Sequence, residues 1–471
     1  MFRTRPLPTN LLVATAGLGL SLLVSTVTTA EIDSGANAGE NSSPANEMSA
    51  ERLFDVMGGL TVAGRTLRDS EMGHPDYDAS LAGETMARTG EAWLGLLQAA
   101  ATDLVEDDRL RAGRDDDSQA GPRTYASAGY SYHMHHSAGR FEEHGLYDRL
   151  TLEVSPLLTL LSRQLLTNQL VDGAFRDLRR DTVTNESMAW GLDAFHGVAY
   201  GWIRWHKPGG ADDMGGLTEP AMERAMGHDL DTLIAAARDL AGTLDGAWDE
   251  DAGMYRFDSA IWALDEFGAL VRGHKGVYEV LYVFGDEDDQ DKAADLFDRI
   301  AVVLEGIIDS DLVVRDWGLP ARLRFRNGVA HPAVLDVDVA AQWRFVHALT
   351  GGFSLIREQD GTSKFLENRR SGLRDGIGGF TDRLLAGGLE YHLMDDRVVN
   401  RVSFVDGSRI DGSASTGTMA AFVMALGNAY RVGDAFDRPD GWDDPDIESR
   451  SRDLYDALLA HTEELLETAN D

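Results

Sequence analysis

Trp190-Gly-Leu-Asp-Ala-Phe195 and Trp262-Ala-Leu-Asp-Glu-Phe267 are two copies of one six-residue pattern, and an Asp-Gly-Ala-aromatic turn precedes each (Asp172 to Phe175, Asp245 to Trp248). The Leu-Asp inside the pattern returns at Leu335-Asp336 and, more loosely, as Ile410-Asp411, so the four acids stand 72, 71 and 75 residues apart. A steady period of that length marks an array of similar supersecondary units, none of which can bury its apolar face alone.

Outward from these strings, apolar periodicity predicts about twelve helices from residue 49 onward and no strand run. Segments near 80–105, 149–170, 222–243, 290–309, 365–388 and 449–468 carry one apolar stripe, for example Leu296, Ile300, Val303, Leu304 and Ile307. The alternating segments near 49–66, 125–138, 188–206, 260–283, 333–350 and 413–431 are apolar on most sides and rich in Gly and Ala. A helix apolar all round is buried and a striped one lies outside it. Six buried helices alternating with six half-exposed ones describe a closed (α/α)6 toroid, all-α and of one domain. Residues 49–471 shared among six pairs give about 70 each, close to the observed period. An open solenoid is the competing arrangement, but it needs polar capping repeats and no inner helix buried on every side. The long loops 176–185 and 309–328 are expected to hold short β pieces beside one mouth of the barrel.

The helix count, the period and the aromatic and acidic residues of the inner segments resemble the six-hairpin toroid superfamily. That superfamily includes glycoside hydrolases, polysaccharide lyases and the helical domain of uronyl epimerases, and Glu186-Ser-Met-Ala-Trp-Gly-Leu192 is faintly similar to an inner-helix segment of the epimerase type. The resemblance implies a carbohydrate-active enzyme. It transfers no catalytic residue one by one, because a fold does not fix a chemistry.

Composition narrows the partners. The formal charge is −36, and the basic residues are four Lys against 39 Arg. So acidic a surface repels nucleic-acid phosphates and anionic membranes. It suits a salt-adapted chain, since in molar salt the Debye length falls to about 3 Å and neighbouring carboxylates cease to repel. Residues 11–30 are apolar and uncharged behind Arg3 and Arg5, and end at Thr28-Thr29-Ala30. That is the layout of an export signal or, uncleaved, of a membrane anchor, and it predicts a secreted or outer-face protein. Residues 31–48 read as a disordered spacer ahead of the 49–471 domain. With no Cys there is neither a disulfide framework nor a lipid-anchored cysteine.

Asp193 and Asp265 stand three residues after Trp190 and Trp262, which puts each carboxylate and indole on one helical face. The functional reading is acids around a polar axial hole with indole platforms for sugar rings; the alternative is a structural Arg-Asp network. Hydrolysis of a glycosidic bond needs two carboxyl groups about 5 Å apart for retention or roughly 6.5–9.5 Å for inversion. Asp265 with Asp336 is the first candidate pair and Asp193 the third acid. Trp190, Trp262, His196 and Glu266 are candidate substrate contacts. In Tyr130-Ser-Tyr-His-Met-His-His136, His133 and His136 share a face, so Tyr132 and His136 are candidates for proton transfer, with Arg140 and His196 nearby in function. No metal and no cofactor is called for. The acidic runs Asp249-Glu-Asp251 and Asp286 to Asp291 fit solvated charge better than Ca²⁺ loops, and neither a phosphate loop nor a Gly-x-Ser-x-Gly elbow is present. A non-catalytic toroid that binds a glycan or protein, or is structural at the cell surface, is the alternative to the enzyme.

Overall fold

A computed structural model of the chain describes residues 157–206, 218–356 and 371–433 apart from a few positions, together with 105–106, 109–112, 118–129 and scattered positions between 53 and 96. The export segment, the spacer, Tyr132, His136 and the 449–468 helix lie outside the described residues.

Nine helices can be delimited among them: α1 (Pro122–Ala128), α2 (Asn185–Trp205), α3 (Glu219–Met226), α4 (Leu230–Ala247), α5 (Leu264–Phe284), α6 (Glu287–Ile308), α7 (Val339–Ile356), α8 (Ser371–Gly387) and α9 (Thr416–Gly433). Positions 56–60 and 90–93 are helical as well. The helices α1, α2, α5, α7 and α9 pack each on the next, and the striped helices lie behind them. The ring closes where Gly59 meets α9: a Cβ there would stand 2.7 Å from the Ala420 Cβ. The architecture is therefore an (α/α)6 toroid, as the alternation of apolar and striped segments predicts.

Glycine sets how closely the inner helices approach. A Cβ at Gly276 would lie 2.6 Å from the His196 Cα, and Gly273 faces Leu192 and Asp193 just as tightly. Two contacts running the same way show α2 and α5 to be parallel, with a stagger of 80 residues (196 to 276). Gly268 on α5 meets Phe345 on α7 in the same manner, a stagger of 77.

Three expectations are adjusted. The short β pieces expected in loops 176–185 and 309–328 are present, as the Asp177–Thr182 bridge and a strand at 322–326, and the strands extend beyond those loops: β1 (Ile261–Ala263), β2 (Arg322–Arg326), β3 (Val329–Pro332), β4 (Asp336–Asp338), β5 (Arg401–Ser403) and β6 (Arg409–Asp411) form two three-stranded antiparallel sheets, ordered β1-β2-β3 and β4-β5-β6. β1, β4 and β6 each lead into an inner helix, so the β rim surrounds the mouth formed by the helix N-termini. Second, α5 begins at Leu264 and not near 260, which moves Trp262 off the helix onto β1. Third, the segment near 222–243 is two helices, because Gly227 takes a left-handed φ of 73° and Asp229 then caps α4 through Thr232.

The α2 start is fixed by Thr184, whose hydroxyl accepts from the Ser187 N–H at 3.0 Å while Ser187 accepts in return. Asn185 then ties α2 to the rim. Its amide nitrogen donates to the Ser259 and Ile261 carbonyls, and its Oδ1 accepts from the Phe257 N–H. Both ends of this buried amide are thereby committed to holding α2 against the rim. The acidic runs are likewise occupied: Asp249 closes a turn on Ala252, and Asp286 and Asp289 cap α6 and bind Arg238.

Candidate functional site

One recess opens at the N-terminal end of the inner helices. Trp190 and Asp193 reach it from α2, Asp265 and Arg272 from α5, Arg344 from α7, and Ser127 from α1. Gly417, Ala421 and Met424 of α9 complete the lining. Counted with the open solvent at its mouth, the space measures about 460 Å³.

Each carboxylate in the recess faces guanidinium. Arg272 Nη1 donates to Asp193 Oδ2 at 3.3 Å, and both side chains are almost fully buried. Asp265 Oδ2 lies 3.6 Å from Arg123 and 3.8 Å from Arg344, in a more open position. Arg123 also lies over the Trp190 ring, 4.8 Å from its centre, within the range of a cation–π contact. Asp265 falls in the first turn of α5, where its Oδ1 accepts the Glu266 N–H at 3.0 Å. At that position the helix dipole favours a carboxylate.

Glu266 is the titratable group of interest. Its Oε2 accepts the Ala263 N–H at 3.2 Å, capping α5. Burial first, then the charge of Asp265, pushes its carboxyl up to about 7. A carboxyl in that range carries a proton at neutral pH for part of the time and can both give and take one.

The raised value has a stability consequence. Folding favours protonated Glu266, so its contribution is fully present below the ordinary value of 4.5 and is lost as pH rises through about 7. Relative to Glu266→Gln, the wild-type chain should lose up to roughly 3 kcal/mol between about pH 4 and pH 8. Parallel pH profiles of the melting temperature for the two proteins would remove Glu266 as the cause.

Deeper along the axis the polar lining continues. His196 on α2, Lys275 and Glu279 on α5 and His347 on α7 are all buried. Lys275 pairs with Glu279 at 3.8 Å. Burial first, then the charges of Arg272 and Lys275, holds His196 well below the usual imidazole range, so it is neutral.

The structure thus brings together Asp193, Asp265 and Trp190 on the recess and sets His196 below them, while Glu266 stands beside Asp265 in the first turn of α5, turned to the Ala263 N–H and outside the residues that line the recess. It separates the other two candidates. Asp336 lies on β4, 3.0 Å from Arg401 across the sheet, and not on an inner helix beside Asp265. Trp262 is fully enclosed, its Nε1 donating to the Tyr255 carbonyl, so it offers no platform. Sequence reasoning missed Arg123, Arg272, Arg344, Lys275 and the α9 residues. Arg272, Lys275 and Glu279 at i, i+3 and i+7 form a charged stripe on an otherwise apolar, glycine-rich helix, and that stripe was readable as an axis-facing line.

No family model matches the chain, and no curated protein does. Among solved structures, it is similar to a sugar epimerase from a ruminal bacterium (12% identity, 82% of this chain and 88% of that chain, TM-score 0.48) and to a D-mannose isomerase (10%, 84% and 89%, TM-score 0.46). It is also similar to a GH76A α-1,6-mannanase from Salegentibacter sp. HEL1_6 (12%, 80% and 99%, TM-score 0.41). The fold assignment itself rests on the closed ring of inner helices.

Proposed function

We propose that the chain is a carbohydrate-active enzyme, a hydrolase or lyase of an extracellular poly- or oligosaccharide, with its site in the axial recess. The observation carrying this reading is the convergence of Asp193, Asp265 and Trp190 from neighbouring inner helices on one open space. In hydrolysis Asp265 is the carboxylate in the recess, and Glu266, next to it at the start of α5, is the proton donor to the leaving oxygen. In elimination the same two groups take and give the proton at carbon and oxygen. Arg344 and Arg123 orient Asp265 and meet charge that develops on the substrate.

The test is a panel of polysaccharides in molar salt, with wild type beside Asp265→Asn and Glu266→Gln. Both variants should lose about 10²-fold or more in turnover while keeping their fold. Equal turnover by Asp265→Asn would remove that residue from the mechanism.

A second reading, a non-catalytic toroid that holds a glycan, is favoured by one observation: Asp193, Asp265 and Asp336 each lie within 4 Å of a guanidinium group. Binding of a glycan at this recess without any turnover would select it.

The remaining proposals are export by the N-terminal apolar segment and adaptation to high salt. At a formal charge of −36 the folded chain repels itself once unscreened. The melting temperature should therefore fall steadily from molar to millimolar salt. A salt-independent melt would sink the halophilic proposal, and intact Met1 in a cytoplasmic pool would sink the export proposal.

A further inference from the structure

In a chain with 79 acidic side chains against 43 basic ones, a row of arginines without carboxylate neighbours is out of place. β2 carries one. In Arg322-Leu-Arg-Phe-Arg326 the side chains alternate: Leu323 and Phe325 are buried, while on the other face Arg322 and Arg326 are exposed and Arg324 is half-buried. The cross-strand partners on that face are Ala263 and Ile261 of β1 and His331 and Val329 of β3. The three strands contain no Asp or Glu. Elsewhere Arg238, Arg272, Arg299, Arg383 and Arg401 each pair with an aspartate. Among the described residues, Arg322, Arg324 and Arg326 hold no ion pair and no side-chain hydrogen bond. The acidic turn 249–251 meets this hairpin at its tip, where the Asn327 and Gly328 N–H groups donate to the Asp251 and Ala252 carbonyls. The row also has a direction. Arg322 stands opposite Ala263, whose N–H is held by Glu266, and Arg326 lies four strand residues, about 13 Å, further out. It therefore begins beside Asp265 and Glu266 at the start of α5 and runs away from them along the rim.

We infer that Arg322, Arg324 and Arg326 form a rim track for an anionic polysaccharide, each guanidinium taking a carboxylate or sulfate of a chain that runs toward Glu266. The inference rests on the carbohydrate reading above and gives its substrate a charge. Guanidinium meets either oxyanion through two parallel N–H donors, a match that a neutral hydroxyl does not offer. His331, opposite Arg324, stands beside the row and adds a ring N–H donor. The formal charge of −36 opposes such a ligand at long range. In molar salt that repulsion is screened beyond about 3 Å, while direct contacts with the row remain.

The experiment is isothermal titration of the full chain in molar salt with polygalacturonate, dextran sulfate, uncharged dextran and single-stranded DNA, comparing wild type with the double variant Arg324→Gln/Arg326→Gln. Wild type should bind a charged glycan, and the two charged glycans decide between carboxylate and sulfate. The double variant should bind it roughly five- to tenfold more weakly, a few-fold for each charge pair removed. Arg326→Gln alone, at the exposed far end of the row, repeats the test at a few-fold if the double variant melts early. Charged-glycan binding that is unchanged in the folded variants, or dextran bound as tightly as the charged glycans, overturns the track and leaves the carbohydrate reading standing. DNA bound as tightly as the charged glycans overturns it as well, because the row then takes any polyanion. If wild type binds neither charged glycan the inference falls, and the turnover panel decides the carbohydrate reading by itself.

Discussion

Replacing Gly276 with valine should leave the chain without a cooperative thermal transition. Two effects oppose each other at this position. Removing a mid-helix glycine favours the helix by up to about 1 kcal/mol, and less for a β-branched residue. Against that, the first added carbon would stand 2.6 Å from the His196 Cα and 3.0 Å from its backbone nitrogen. Those atoms are helix backbone and cannot turn aside, so α2 and α5 must separate along the length over which they pack. Overpacking against movable side chains already costs roughly 1–3 kcal/mol, and parting two inner helices adds the burial lost between them. The sum is large beside a total stability of about 5–15 kcal/mol. Gly242→Ala on α4 is the control. Nothing lies within 4 Å of its added Cβ, so only the propensity gain remains and the melting temperature should rise slightly. A Gly276→Val protein that melts within a few degrees of wild type would refute the close-approach account of the ring.

The same glycines explain what the sequence made legible and what it hid. Alternation between helices apolar on every side and helices with one stripe is a direct record of burial, and it led to the toroid without any strand or loop being known. The Leu-Asp repeat misled in detail. Its copies are 72 residues apart, whereas α2 and α5 pack with a stagger of 80, so Asp193 is level with Gly273 and Asp265 sits about two turns nearer the mouth. A sequence period counts chain, but axial level depends also on how much of that chain the preceding loop consumes. Here β1 takes up residues that in the earlier copy belong to α2, which is why Trp190 is helical and Trp262 is not. Asp336 left the axis for the same reason, since β4 occupies the positions that would have opened α7. The rim strands are three to five residues long, and β1 and β4 pair with strands about sixty residues further along the chain, so local periodicity could not register them. The recess was half legible: its acids stood out as an anomaly on apolar helices, while the guanidinium groups that face them were hidden among 39 arginines.

Asp193 and Asp265 should separate fold from function when each is neutralised. Asp193 and Arg272 are both nearly buried, at 3% and 10% side-chain exposure, and share a bond of 3.3 Å. Truncating one partner of such a pair leaves a charge in a poor solvent and costs about 3–5 kcal/mol, so Asp193→Ala should melt well below wild type. Asp193→Ala with Arg272→Met should recover much of the loss, because the stranded guanidinium is removed with its partner. Asp265 is 17% exposed, and its guanidinium neighbours are 3.6 and 3.8 Å away, beyond hydrogen-bonding range. Pairs of that geometry at the edge of solvent contribute only about 0–1 kcal/mol. Asp265→Asn should therefore melt close to wild type, and its effect should appear in turnover or binding. Thermal melts of the four proteins in one molar-salt buffer decide the matter. If Asp265→Asn falls as far as Asp193→Ala, then Asp265 is a structural counter-ion like Asp193, Glu266 is left without the second carboxylate that hydrolysis requires, and the catalytic reading gives way to the binding one.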